Sequence, residues 1–183
     1  TYKNFTAFDT SNDCELMNKL KNILPDFIKK TSDPNKPMLS LPATEDDLAE
    51  IESHAKRISV LSEDVLVLGV GGSSLGGQAL IQACVMYNEN SPNMVFMDNL
   101  SPLEFPHLLT KLNPKKTHVL AISKSGGTME LHAHLAFIME WLENSNCTFK
   151  DHITVITEKK PSPLKKLVEI HNLPFLEHLA TLG

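Results

Sequence analysis

The sequence predicts an α/β chain: a three-layer αβα sandwich around a parallel sheet of about five strands, preceded by N-terminal helices. Two observations predict it. Four short apolar runs alternate with segments of helical periodicity. Two of the junctions between a run and the next helix are crowded with glycine and hydroxyl residues.

The elements follow in order. Asp13 to Lys30 reads as a helix, with Leu16, Leu20, Ile23 and Phe27 on one face. Thr31 to Pro42 holds three prolines among polar residues and reads as a loop. Thr44-Glu45-Asp46-Asp47 resembles a capping box, and Leu48, Ile51, Ala55 and Ile58 continue the helix it would open. The first run is Val65 to Leu68, closed by Gly69; Asn93 to Asp98, Thr117 to Ser123 and His152 to Thr157 follow. Runs apolar on both faces suit a parallel sheet covered on both sides. Between and after them, Leu75 to Tyr87, Pro102 to Leu112, Met129 to Glu143 and Ser162 to Ile170 have helical character. In the third of these, Leu131, Leu135, Ile138 and Leu142 form one stripe. Leu173 to Leu176 is a candidate fifth strand. The expected division is a helical segment over 1–60 and an α/β domain over 61–183.

Composition narrows the function. The chain has 183 residues, 42% hydrophobic and 21% charged, which suits a folded domain rather than a disordered one. Its net charge of -5 and lack of basic clusters argue against nucleic acid. No stretch approaches the roughly 18 apolar residues of a membrane span, so no membrane partner is expected. Cys14, Cys84 and Cys147 are odd in number and not in metal-ligand spacing, which fits a reducing cytoplasm. The chain begins at Thr1 without a signal-peptide pattern and reads as a piece of a longer protein.

The chemistry lies in the two loops. Gly69-Val70-Gly71-Gly72-Ser73-Ser74-Leu75-Gly76-Gly77 carries five glycines, more than a plain helix cap needs. Gly72, Ser73 and Ser74 fall where the next helix begins. Ser123-Lys124-Ser125-Gly126-Gly127-Thr128 offers three hydroxyls, a Gly-Gly turn, one cation and a helix N-terminus. Those components hold a phosphate without a metal. The second loop alone is as well explained by an ordinary capped strand-to-helix turn; the pair is more specific. A dinucleotide fingerprint is the rival for the first loop. Gly69 and Gly71 match it and Asp98 ends the second run, but Ser74 stands at the third glycine, and Ser123 to Thr128 goes unexplained. Glu130 sits where a helix dipole favours an acid. His132 and His134 do not share a face and read as solvent-facing or interfacial. Met94, Met97, Met129 and Met139 read as core filler.

Val67 to Gly76 resembles the first strand and glycine loop of phosphoglucose isomerases, and Ile122 to Glu130 is similar to that family's second phosphate loop. Both belong to the sugar isomerase (SIS) domain. The resemblance implies that Ser73, Ser123, Lys124, Ser125 and Thr128 hold the phosphate of glucose 6-phosphate or fructose 6-phosphate. It places Gly72, Ser74, Gly126 and Gly127 along the same site. It further implies an aldose–ketose isomerase of glycolysis and gluconeogenesis that needs no metal or nucleotide and works as a homodimer. The family continues into a Gly-Gly-Arg stretch, of which Leu182-Gly183 would be the first edge. Its base glutamate, ring-opening histidine and late lysine have no counterpart here, so the expectation is a chain that binds sugar phosphate weakly and does not turn it over. A non-catalytic sugar-phosphate sensor and an NAD-binding oxidoreductase domain are the alternatives.

Overall fold

The structure is a computed structural model that describes residues 13–31, 41, 45–84 and 91–182. Two compact units divide the chain: Thr1–Asp46 with Thr181–Gly183, and Asp47–Ala180. In the first unit, helix α1 spans Asp13–Thr31. Of its apolar stripe, Ile23 and Phe27 stay more than half exposed. The loop read over Thr31 to Pro42 and the cap read at Thr44 lie almost wholly outside the described residues.

The second unit holds the sheet. Helix α2 (Leu48–Leu61) opens at Asp47, whose side chain makes no capping bond. Then come β1 (Asp64–Leu68), α3 (Gly72–Cys84), β2 (Asn93–Met97), α4 (Glu104–Leu109) and β3 (Thr117–Ile122). After these follow α5 (Met129–Asn144), α6 (Phe149–His152), β4 (Ile153–Thr157), α7 (Pro163–His171) and β5 (Phe175–Glu177). All five strands are parallel, in the order β2-β1-β3-β4-β5. The predicted fifth strand forms, shifted two residues toward the C-terminus.

Strand order explains the layers. The step from β1 to β2 runs one way along the sheet, and every later step runs the other way. Right-handed crossovers then put α3 on one face and α4, α5 and α7 on the opposite face. The alternation of side chains agrees. Leu66, Leu68, Val119, Ala121, Ile153 and Val155 point into the larger core, against Phe105, Leu131, Leu135, Ile138, Leu142, Leu164 and Val168. Val65, Val67, Leu120 and Ile122 point the other way, where Ile58 of α2 and the β2 residues Met94 and Phe96 meet them. α3 approaches this second face closely: a Cβ on Gly77 would lie 3.1 Å from the Phe96 ring. Each fully buried Leu or Ile contributes roughly 1.5–3 kcal/mol, so the larger core dominates.

Two readings need correction. His134 is 3% exposed, with its ring 4.4 Å from that of Phe105, not solvent-facing. It falls three residues after Leu131, on the stripe that α5 turns to the sheet. Burial lowers its pKa below the ordinary histidine value. Met129 is 80% exposed and fills no core, because it opens α5 on the solvent side. Met97 is buried as expected, and Met94 and Met139 pack partly buried beside the cores.

Helix α7 shows how local sequence sets an element boundary. Ser162 is extended, its Oγ accepts from Lys165 N–H at 3.1 Å, and proline follows it. Asn172 ends the helix in the left-handed conformation, at φ 50°. Replacing Ser162 by Ala is expected to cost about 1 kcal/mol, read as a lower urea midpoint with an unchanged slope.

Candidate functional site

Open parallel sheets bind ligands beyond the carboxyl ends of their strands, at the point where strand order reverses. Here the reversal lies between β1 and β3. These strands are hydrogen-bonded neighbours with Leu68 opposite Ala121. The glycine loop leaves β1 one residue later, and the hydroxyl loop leaves β3 two residues after Ala121. They therefore issue side by side, about 4.8 Å apart at their roots.

The glycine loop is a tight turn into α3. Ser73 N–H bonds Val70 C=O, and both Ser74 and Leu75 N–H groups bond Gly71 C=O. Gly71 has φ +58°, and a Cβ on Gly69 would sit 2.7 Å from Ser73 O. Gly69 leaves no room for a side chain, and the left-handed backbone at Gly71 favours glycine. Gly72 is exposed and Ser73 is partly exposed at the helix start, facing outward from the sheet end. Ser74 is different. It is fully buried, and its Oγ accepts from Gln78 Nε2 at 2.6 Å, which also donates to Asp98 at 3.3 Å. The structure thus occupies Asp98 with binding α3 to the end of β2.

The hydroxyl loop is braced from inside. Ser123 and Thr128 bond each other through their hydroxyls at 2.8 Å. Gly126 N–H donates to Ser123 Oγ at 3.1 Å, and Gly127 N–H to Ser125 Oγ at 3.3 Å. Thr128 is the N-cap of α5, yet its side chain bonds no helix N–H, being engaged with Ser123. Ser125 and Gly127 are exposed, Lys124 and Thr128 partly so, and Ser123 and Gly126 are buried. His132 of α5 bonds Gly126 C=O through Nε2 at 3.0 Å.

The loop is also tied to the next strand end. Glu158 N–H and Thr157 Oγ1 both donate to Lys124 C=O, and Leu164 N–H donates to Gly126 C=O. Gly126 adopts φ +67°, and a Cβ there would lie 2.2 Å from Ser162 Oγ. The main chain at Gly126 is therefore pressed against the start of α7.

Glu158 was not singled out in the sequence. It is buried at the end of β4 and ion-paired to Lys160 at 2.5 Å. That hydrogen bond holds its carboxyl below the usual range, and the charges of Lys124 and His178 add to the effect. His178 went unremarked as well. Its N–H bonds Thr157 C=O at 2.8 Å, and the residue lines a hollow of about 410 Å³ shared with Gly72 and Ser73. Both residues come right after a strand, the one local signal that marked them. Among the described residues no cluster of three metal-ligating side chains occurs, and no helix is long and apolar enough to cross a membrane.

Taken together, hydroxyls, main-chain N–H groups, a lysine and two helix N-termini converge on one end of the sheet. That set can donate hydrogen bonds to an oxyanion and offset its charge. Sheet order and layering define a doubly wound α/β domain.

A family model described as phosphoglucose isomerase matches residues 52–162. The glucose-6-phosphate isomerase of Thermus thermophilus is 34% identical over 136 residues, covering 74% of this chain and 32% of that protein. The chain belongs to the phosphoglucose isomerase family. A hypothetical protein of Thermus thermophilus superposes with TM-score 0.75 at 28% identity, over 92% of this chain and 41% of that one. A glucose-6-phosphate isomerase of Chlamydia trachomatis shares the fold, at TM-score 0.69 and 20% identity, over 76% of this chain and 26% of that one. The chain spans about a third of the length of the curated relative.

Proposed function

We propose that this chain is the sugar-phosphate-binding part of a glucose-6-phosphate isomerase, which interconverts glucose 6-phosphate and fructose 6-phosphate. The observation that carries the reading is the placement of the two loops on adjacent strand ends. Family membership supports it. In this reading Ser73, Ser123, Lys124, Ser125 and Thr128 contact the phosphate, and Gly72, Gly126 and Gly127 let the main chain approach it. Ser74 supports the loop from beneath, through Gln78.

Isomerisation moves a proton between the two carbons at the end of the sugar remote from the phosphate, through a cis-enediol. Phosphate binding therefore acts at a distance. It fixes the reacting carbons relative to the groups that open the ring and shift the proton. Those groups are assigned by the resemblance to residues outside this chain, in a cytoplasmic homodimer. The chain alone is accordingly a binder without turnover. The domain division at residue 60 belongs to the same reading.

The test is a thermal-shift comparison of 6-phosphogluconate with NAD. The sugar phosphate is expected to raise the melting temperature and NAD to leave it unchanged. Ser123→Ala and Thr128→Ala should each weaken 6-phosphogluconate about tenfold, by removing a hydrogen bond to a charged group. A shift with NAD alone, or unchanged affinity in both variants, overturns the reading.

A further inference from the structure

We propose that His178 is a ligand-contacting residue of this site, presenting its ring Nε2 to a hydroxyl of the sugar part of a sugar phosphate. The inference rests on the phosphate reading above and goes beyond it, because it assigns the end of the ligand away from the loops.

The backbone fixes the position. His178 follows β5, and its N–H bonds Thr157 C=O at 2.8 Å, so it continues the sheet past the carboxyl end of β4. His178 then lines the same hollow as Gly72 and Ser73. The hollow measures about 410 Å³, inside the range of roughly 300–1,000 Å³ that small-molecule sites occupy. Its walls are mostly apolar, with Val67, Phe96, Leu120 and Ile122 on the sheet side and Leu80 and Ile81 on α3, and Ser73 and His178 are its polar side chains.

Hydrogen bonding fixes the tautomer. Nδ1 contacts Leu179 C=O at 3.0 Å, and a carbonyl only accepts. Nδ1 therefore carries the proton, and in the neutral ring Nε2 is a bare acceptor. It has no hydrogen-bond partner among the described residues. A sugar hydroxyl is the donor that fits an unpaired imidazole nitrogen at the rim of a polar site.

Charge decides which end of the ligand lies there. Glu158, buried and ionised, is close enough to His178 for the two to interact electrostatically. The same carboxylate also feels Lys124, whose charge, with the hydroxyls of its loop, supplies what an anion needs. The phosphate belongs at the two loops, and the hydroxyl-bearing carbons extend toward His178.

The experiment uses the complete protein and two probes, inorganic phosphate and glucose 6-phosphate. His178→Ala is expected to weaken glucose 6-phosphate about tenfold, the loss of one hydrogen bond from a desolvated site, and to leave inorganic phosphate unchanged. His178→Gln, which places an amide near Nε2, should recover part of the loss. In the unmodified protein, the His178 ring carbon resonance should move with glucose 6-phosphate and not with inorganic phosphate. Unchanged glucose 6-phosphate affinity in His178→Ala overturns the proposal. So does an equal loss for both probes, or a lower melting temperature with no loss of affinity, since either marks a structural role. Failure of the phosphate reading shows elsewhere: Ser123→Ala and Thr128→Ala would then leave inorganic phosphate binding intact.

Discussion

Replacing Gly126 by Ala is expected to lower stability by about 2–4 kcal/mol and to abolish sugar-phosphate binding. Two independent penalties add. An L-residue at φ +67° costs roughly 1–2 kcal/mol. The new methyl would also stand 2.2 Å from Ser162 Oγ and 2.7 Å from its Cβ. Ser162 cannot simply turn away, because its hydroxyl caps α7. Nor can the loop retreat without breaking the bond from Leu164 N–H to Gly126 C=O. Urea unfolding measures the first effect and ligand-induced thermal shift the second. The double variant Gly126→Ala with Ser162→Gly should recover the steric part and keep the conformational part, since glycine serves as an N-cap at a penalty of a few tenths of a kcal/mol. An unfolding midpoint unchanged in the single variant would show that the loop is not held against α7 as described.

Acidification is expected to remove about 3 kcal/mol of stability through one residue, His118. The side chain is 1% exposed, on the face of the sheet that α2 covers. Arg57 Nη2 donates to Thr154 Oγ1 at 3.2 Å, and Thr154 Oγ1 lies 2.9 Å from His118 Nε2. Arginine only donates, so the Thr154 hydroxyl accepts from Arg57; His118 also bonds the Asp151 main chain, and in the neutral ring Nε2 is then left to accept the Thr154 proton. Burial first, and then the Arg57 charge, lower the His118 pKa from 6.5 to about 4. The unfolded chain takes up this proton as pH falls through 6.5, while the folded chain resists until about pH 4. Stability attributable to His118 is thus intact above pH 6.5, declines between pH 6.5 and 4, and is fully lost below. At about 1.4 kcal/mol per pH unit, that interval is worth roughly 3 kcal/mol. Carboxylates also titrate in this range, so the measurement is the difference between the protein and His118→Gln, each unfolded in urea at pH 7 and pH 4.5. The variant should show a shallower decline. A His118 ring resonance titrating near pH 6.5 in the folded protein would contradict this account.

Much of the architecture was readable because strands buried on both faces leave continuous apolar runs. Val65 to Leu68 and Ile153 to Thr157 need no context to be recognised. The stripe of α5 was equally plain, and the same spacing, followed through, includes His134. It was misread because a histidine carries no apolar signal of its own. The four-residue helix Phe149–His152 left no periodicity to read. α3 begins at Gly72, three residues earlier than read, because glycines that look like loop are already helical. At the site, the loops announced themselves through composition, whereas Glu158 and His178 did not. Their nearness to the loops depends on β4 and β5 following β3 in the sheet, a long-range fact absent from local sequence.

On the phosphate reading, the hydroxyl contact between Ser123 and Thr128 also acts as a filter. A cradle whose hydroxyls bond each other gives up that bond whenever a guest arrives. A neutral alcohol returns only what it displaces, one weak bond for another. An oxygen bearing negative charge, with several lone pairs, engages both hydroxyls at once and binds each more strongly than they bind each other. In that reading, discrimination in favour of charged guests is built into the loop itself, with Lys124 adding its attraction.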